Sequence, residues 1–281
     1  MFWRVIFARA FMVAFICAIG FAVIAVLIGE NNIDWFDSAG ISMIRGMESP
    51  GLTGVMKFFT FIGAGHPVSI ITVFIGCALY FPLKYRWELV FFVGVVSGSA
   101  LLNVVLKLLF HRARPTLNRI VEANGFSYPS GHSMAAFTLY GVLCYLLWKN
   151  IKNVIGRVAL IAAASIIILT IGISRIYLGV HYPSDVIGGY LASCAWLAAC
   201  IGFFENFRKN LPFSGHLVLQ QRRFDGYSFM KYIFERNEVT EIAILLAEGV
   251  SYERQLSFDP YLHHYDHRSS RNVHGRLLTR K

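Results

Sequence analysis

Eight residues in this 281-residue chain have the types and order needed to handle a phosphate ester: Lys107, Arg114, Ser130, Gly131, His132, Arg175, His181 and Asp185. A phosphate ester concentrates negative charge, and its transition state spreads that charge over three equatorial oxygens. Lys107, Arg114 and Arg175 supply cations to clamp those oxygens, the arginines by bidentate contact. Ser130 adds a hydroxyl donor. Gly131 and His132 open a helix whose first N–H groups are free to bind an anion, and Gly131 allows close backbone approach. His181 and Asp185 are four residues apart near a helix start. The acid can accept from one imidazole nitrogen and leave the other as a nucleophile. His132 can then protonate the leaving alcohol. The expected intermediate is a phosphohistidine at His181, later hydrolysed by water. No metal ligands accompany this set, so the expectation is charge neutralisation by protein cations, with no metal or other cofactor.

Each piece also has a plain structural reading. Lys107 can snorkel from a helix end. Ser130 can serve only as a helix N-cap. His181 and Asp185 can form a loop-edge hydrogen bond, and His111 and Arg112 are assigned to the interface. The catalytic reading gains its weight from all the pieces lying, in order, on one face.

The elements that must position them are membrane helices. Hydrophobic residues make up 56% of the chain and charged residues 15%, with a mean hydropathy of +0.55. Soluble domains carry about 25% charged residues, so this composition excludes a purely soluble protein and, equally, a disordered one. Apolar runs predict an all-α, six-helix transmembrane bundle, with spans near 9–29, 66–83, 88–110, 131–149, 157–175 and 185–204. The first run also admits a signal peptide with a cleavage-like Ala22-Val23-Ile24-Ala25, although it is long for one. Between spans one and two, Leu52, Val55, Met56, Phe59 and Ile62 recur opposite Thr53, Lys57 and Thr60. That pattern predicts an amphipathic helix in the membrane interface, set off by Pro50-Gly51. Alternation of spans brings the ends of spans three and five and the starts of four and six to one face, which is where the eight residues lie.

The net charge of +10 is read as membrane orientation and lipid contact and not as nucleic-acid binding. Arg4, Arg9, Lys84, Arg86, Lys149, Lys152, Arg157, Arg208 and Lys209 fall on one side by parity. That side is expected to be cytoplasmic and to hold both termini. The site then faces the extracytoplasmic side, whose own cations (Arg45, Lys57, Lys107, Arg112, Arg114, Arg119 and Arg175) oppose the usual bias. Cys17, Cys77, Cys144, Cys194 and Cys200 lie in apolar runs and read as small hydrophobes. The domain expectation is a membrane domain over 1–204 and a polar, cytoplasmic tail over 205–281. Within the tail, 239–248 reads as a short helix ended by Gly249. The cluster His263-His264-Tyr265-Asp266-His267 reads as a solvated tail or a metal site.

The ordered set Lys107-x6-Arg114-Pro115, Pro129-Ser130-Gly131-His132 and Ser174-Arg175-x5-His181-x3-Asp185 resembles the type 2 phosphatidic-acid phosphatase superfamily in all three motifs. Within it the chain is most similar to bacterial membrane phosphatases of the phosphatidylglycerophosphate and undecaprenyl-diphosphate kind. The motifs cover 107–185, and the span layout extends the likeness over 1–204. The resemblance implies metal-independent hydrolysis of a lipid phosphate, with the roles argued above, in a bacterial cell membrane. Expected partners are the lipid phosphate substrate and membrane lipids, with the oligomeric state open. Vanadium haloperoxidases share the motifs but are soluble. The rival from another class is a lipid-phosphate binder or transporter without catalysis, which needs the cations but not the His181–Asp185 pair facing His132.

Overall fold

The computed structural model describes residues 2–116, 119–148 and 150–209, all within one compact unit, Met1–Glu235. The described residues form helices only: α1 (Phe2–Gly29), α2 (Asp34–Arg45), α3 (Pro50–Ile62), α4 (Gly65–Tyr80), α5 (Arg86–Phe110), α6 (Gly131–Trp148), α7 (Val154–Tyr177) and α8 (Pro183–Lys209). Lys149, the side chains of Arg4 and Lys209, the 239–248 helix and the His263–His267 cluster lie outside the described residues, as does the tail beyond residue 209.

Local chemistry sets the helix boundaries. Ser49 caps α3, its side chain accepting from Leu52 N at 3.4 Å, with Pro50 following at the first turn. Asn153 caps α7, Oδ1 accepting from Gly156 N at 2.7 Å. His111 ends α5 in the left-handed conformation, φ 47°, and its N–H closes on Lys107 O.

α6 occupies the centre, packed against α5, α7, α8 and α4, while α1 lies along α8. Phe91, Phe92 and Val95 of α5 join Leu139, Val142, Tyr145 and Trp148 of α6 and Leu197, Ile201 and Phe204 of α8 in one apolar core. A buried Ser99–Thr138 hydrogen bond of 2.8 Å ties α5 to α6. Trp196 Nε1 donates to Val95 O at 2.9 Å, pinning α8 to α5.

Four helices, α1, α5, α7 and α8, are long and apolar enough to cross a membrane. A fifth crossing arises if α3 and α4, bent by 54° at their junction, act as one. The helix expected over 52–62 is α3, preceded by the separate helix α2, and it is followed after two residues by α4. α6 differs from the peripheral helices because ten of its 18 residues are buried. A helix enclosed by other helices faces little lipid, so Ser133 and Thr138 are tolerated where partners satisfy them.

Close helix approach depends on Gly98, where an added Cβ would lie 2.2 Å from Trp196 Cζ2, an immobile ring atom. Gly98→Ala is expected to lose about 1–3 kcal/mol through overpacking. Gly54→Ala on α3, where nothing lies within 4 Å, should be neutral or gain up to about 1 kcal/mol in helix propensity. Thermal unfolding in detergent, compared between the two variants, checks both.

Candidate active site

The end of α5, the start of α6, the end of α7 and the start of α8 meet at one end of the bundle, joined by the loops 111–130 and 178–182. Ser130 N donates to Asp185 O at 3.0 Å, and His181 N and Val180 N donate to Arg175 O at 3.3 and 3.1 Å. The first bond joins the second motif segment to the third, and the other two close the turn within the third.

Asp185 is fully buried and its carboxylate is saturated. Oδ1 accepts from Arg112 Nη1 at 2.7 Å. Oδ2 accepts from Ser127 Oγ at 2.5 Å, from Tyr182 N at 2.9 Å and from His181 Nδ1 at 3.3 Å. The other imidazole nitrogen, Nε2, lies 3.1 Å from Arg114 Nη1. A guanidinium can only donate, so Nε2 carries the lone pair and Nδ1 the proton. Burial holds His181 down at about 4, reinforced by Arg175 and Arg114 and opposed by Asp185. The ring is therefore neutral near pH 7, with its lone pair on Nε2, where it accepts from Arg114 Nη1.

Around this nitrogen lie cations without counter-charge. Arg175 is 5% exposed; its Nη1 donates to Thr60 Oγ1, while its buried Nε has no partner. Arg114 spends its donors on main-chain oxygens, those of Gly125 (2.9 Å), Val180 (2.9 Å) and Asn124 (3.1 Å). Lys107 interacts electrostatically with Arg114, Asp185 and Arg175. Among the described residues, none of the three forms an ion pair with a carboxylate. His132, on the first turn of α6, feels Arg175, His181, Lys107 and Arg114 together. Buried charge without a partner is costly. An anion completing this group would recover that cost.

Two expected donors take structural positions. Ser130 caps α6: its buried Oγ accepts from Ser133 Oγ at 3.0 Å and from Ser133 N at 3.4 Å, which leaves only its own hydroxyl hydrogen to offer. Gly131 is required by Asn103, whose Oδ1 would lie 2.9 Å from an added Cβ. Asn103 Nδ2 also donates to Pro129 O at 3.2 Å, holding the start of α6 against α5.

Arg112, assigned to the interface, is tied into the site by its side chain. Besides Asp185, it binds Ser184 Oγ and Asp37 Oδ2, each at 2.7 Å, and stacks over Tyr182 at 4.1 Å. His111 packs edge-on against Phe126, with ring centroids 4.4 Å apart. Asp37, Ser127, Thr60 and Asn103 also touch the site and carry no motif signal. An acid such as Asp37 in an otherwise amphipathic segment was the one available clue.

Residues 87–209 match the PAP2 superfamily. Phosphatidylglycerophosphatase B of Bacillus subtilis is 33% identical over 190 residues, covering 67% of this chain and 93% of that protein. An undecaprenyl-diphosphatase of Sulfolobus acidocaldarius is 28% identical, covering 60% and 78%. The crystal structure of the transmembrane PAP2-type phosphatidylglycerolphosphate phosphatase from Bacillus subtilis superposes with a TM-score of 0.65 at 31% identity, covering 72% of this chain and 98% of that one. The chain belongs to the PAP2 superfamily.

Uncompensated cations predict stabilisation by tetrahedral oxyanions. Phosphate or tungstate at about 100 times its Kd should add about 2.7 kcal/mol to unfolding, while chloride at equal ionic strength should not. Arg175→Met should abolish the shift in a detergent melting assay.

Proposed function

We propose that this chain is an integral-membrane lipid phosphate phosphatase, acting through a phosphohistidine at His181 and without a metal. The observation that carries this reading is the unprotonated Nε2 of His181, 3.1 Å from Arg114, with its Nδ1 proton anchored on Asp185 and unpaired cations around it. Lys107, Arg114, Arg175 and the first N–H groups of α6 hold the three phosphoryl oxygens, with Ser130 contributing its remaining hydroxyl hydrogen. Nε2 donates its lone pair to phosphorus. The bond to the leaving oxygen breaks, and that oxygen takes a proton from His132. Water then attacks phosphorus, giving its proton to His132. The N–P bond breaks, and the electron pair returns to Nε2.

A lipid substrate follows from the setting, since the site sits at the end of apolar helices and the relatives are named for lipid phosphates. Those relatives differ in head group, one monoester and one diphosphate. The substrate class therefore extends over phosphatidylglycerophosphate, phosphatidic acid and polyprenyl diphosphates. For the membrane arrangement we take α1, α4, α5, α6, α7 and α8 as six spans, with α2 and α3 in the interface. Lys84 and Arg86 before α5, and Lys152 and Arg157 at the start of α7, mark the cytoplasmic side, with the termini. The site then faces the extracytoplasmic side of a bacterial cell membrane, and 205–281 forms a cytoplasmic tail.

Purified protein should release inorganic phosphate from these lipids in EDTA. His181→Ala should lose at least about 10⁴-fold in kcat, as members of a nucleophile–base unit do. His132→Ala should lose about 10²–10⁴-fold, least for esters with acidic leaving groups. Because the nucleophile must be unprotonated, the acidic limb of kcat/KM should lie near pH 4. Turnover that survives His181→Ala, or needs magnesium, would refute the mechanism. Lipid-phosphate binding without release would establish the binder or transporter instead.

A further inference from the structure

The site contains a second, largely buried ionic group that the chemistry above does not use. Asp37 on α2 is 2% exposed. Its Oδ1 accepts from Ser184 N at 2.9 Å; its Oδ2 accepts from Ser184 Oγ and from Arg112 Nη2, each at 2.7 Å. Through Nη1, Arg112 reaches Asp185 Oδ1 at 2.7 Å. Two carboxylates therefore share one guanidinium, and Ser184 Oγ links them as acceptor from Arg112 and donor to Asp37. The approach is tight by construction: a Cβ on Gly40, one turn beyond Asp37, would lie 2.6 Å from Pro183 Cγ. Only a glycine lets α2 press Asp37 onto the start of α8.

Resting on the phosphatase reading, we infer that Asp37 and Arg112 are positioning residues, a pair that fixes the Asp185 carboxylate and sets how much of its charge reaches His181. Arg112 occupies the oxygen that points away from the imidazole, so the other oxygen is aimed at Nδ1. Asp37 in turn cancels the charge of Arg112. Without Asp37, the guanidinium would draw the Asp185 charge to itself. Without Arg112, two buried carboxylates would face each other and His181 would sense both. The other charged or titratable groups that face this pair are Arg175 at the end of α7, Arg114 and Tyr128 in the 111–130 loop, His132 on α6, Lys107 on α5 and Tyr182 before α8. All of them are left in place when Asp37 and Arg112 are changed.

The pair therefore predicts opposed electrostatic effects, which a purely structural role does not. The measurement is the pH dependence of kcat/KM on one lipid phosphate for wild type, Asp37→Asn, Arg112→Gln and the double variant, so that the substrate's own titration cancels. Each single variant should lose roughly 10–100-fold in kcat, the size typical of outer partners of a reacting group, with KM within about threefold. Arg112→Gln should move the acidic limb up by about one unit, since it unmasks negative charge near the imidazole. Asp37→Asn should move it down. The double variant, which removes one charge of each sign, should return the limb close to wild type. Asp37→Glu should recover part of the kcat. Limbs that coincide in all four proteins, in samples with matched melting points, would overturn the inference. So would an unchanged kcat in either single variant. A wild type with no turnover would overturn the phosphatase reading and this one together; an active wild type with unmoved variants would overturn this one alone.

Discussion

The Asp185 carboxylate is the point on which this end of the molecule depends. A buried carboxylate is stable only when its oxygens are fully hydrogen-bonded. Here four donors converge on it, two from the 178–182 loop and two from the loop between α5 and α6. The saturation has an electrostatic consequence. Its negative charge is committed to Arg112 and His181, and Asp37 supplies the second charge that Arg112 requires. Among the described residues, no carboxylate forms an ion pair with Lys107, Arg114 or Arg175. The site is thus divided into a neutralised wall behind the imidazole and an uncompensated cationic wall in front of it. On the phosphatase reading, a phosphate ester would supply the missing charge.

The residue types and spacing were sufficient to find the face, the cations and the His181–Asp185 pair, because each chemical role tolerates few side chains and helix alternation brings distant ends together. They were insufficient for what holds those groups. Arg112 has no intelligible partner until α2 is folded back, since Asp37 lies 75 residues away. Thr60, which meets Arg175, is 115 residues from it. Ser130 shows the opposite failure: a serine at a helix start is equally an anion donor and a cap, and only the geometry of Ser133 reveals the capping bond. The span pattern was legible for the peripheral helices, which display apolar residues all round. It was less secure for α6, whose polar residues are buried between neighbours, and for the α3–α4 pair, whose bend interrupts the apolar run.

The amphipathic segment between α1 and α4 has a larger part than its pattern implied. Trp35 and Met43 on α2 are each 75% exposed and Phe58 on α3 is 59% exposed, so the outer faces suit an apolar surrounding. The inner faces carry Asp37 and Thr60 to the site, and Ser49 and Thr53 bind the Tyr177 hydroxyl, with Thr53 Oγ1 2.8 Å from it. Each helix therefore joins an apolar exterior to a polar contact with a catalytic candidate or its neighbour. Amphipathic periodicity records only the first of these two facts, because a single buried acid hardly alters the pattern.

A mechanical consequence follows for the division of labour between α6 and its neighbours. α6 carries His132 and the free N–H groups but contributes none of the cations, which come from α5, the 111–130 loop and α7. Its own placement is secured by the Ser99–Thr138 bond, by Asn103 against Gly131 and Pro129, and by Ser193 Oγ donating to Met134 O at 3.1 Å. Gly189 permits that last approach, since a Cβ there would lie 2.9 Å from Ser130 O. A general acid has to stay within hydrogen-bond reach of an oxygen whose position the cations dictate. On the proposed mechanism, placing acid and clamp on different helices makes the interhelical contacts of α6, and not the motif residues alone, a determinant of proton delivery.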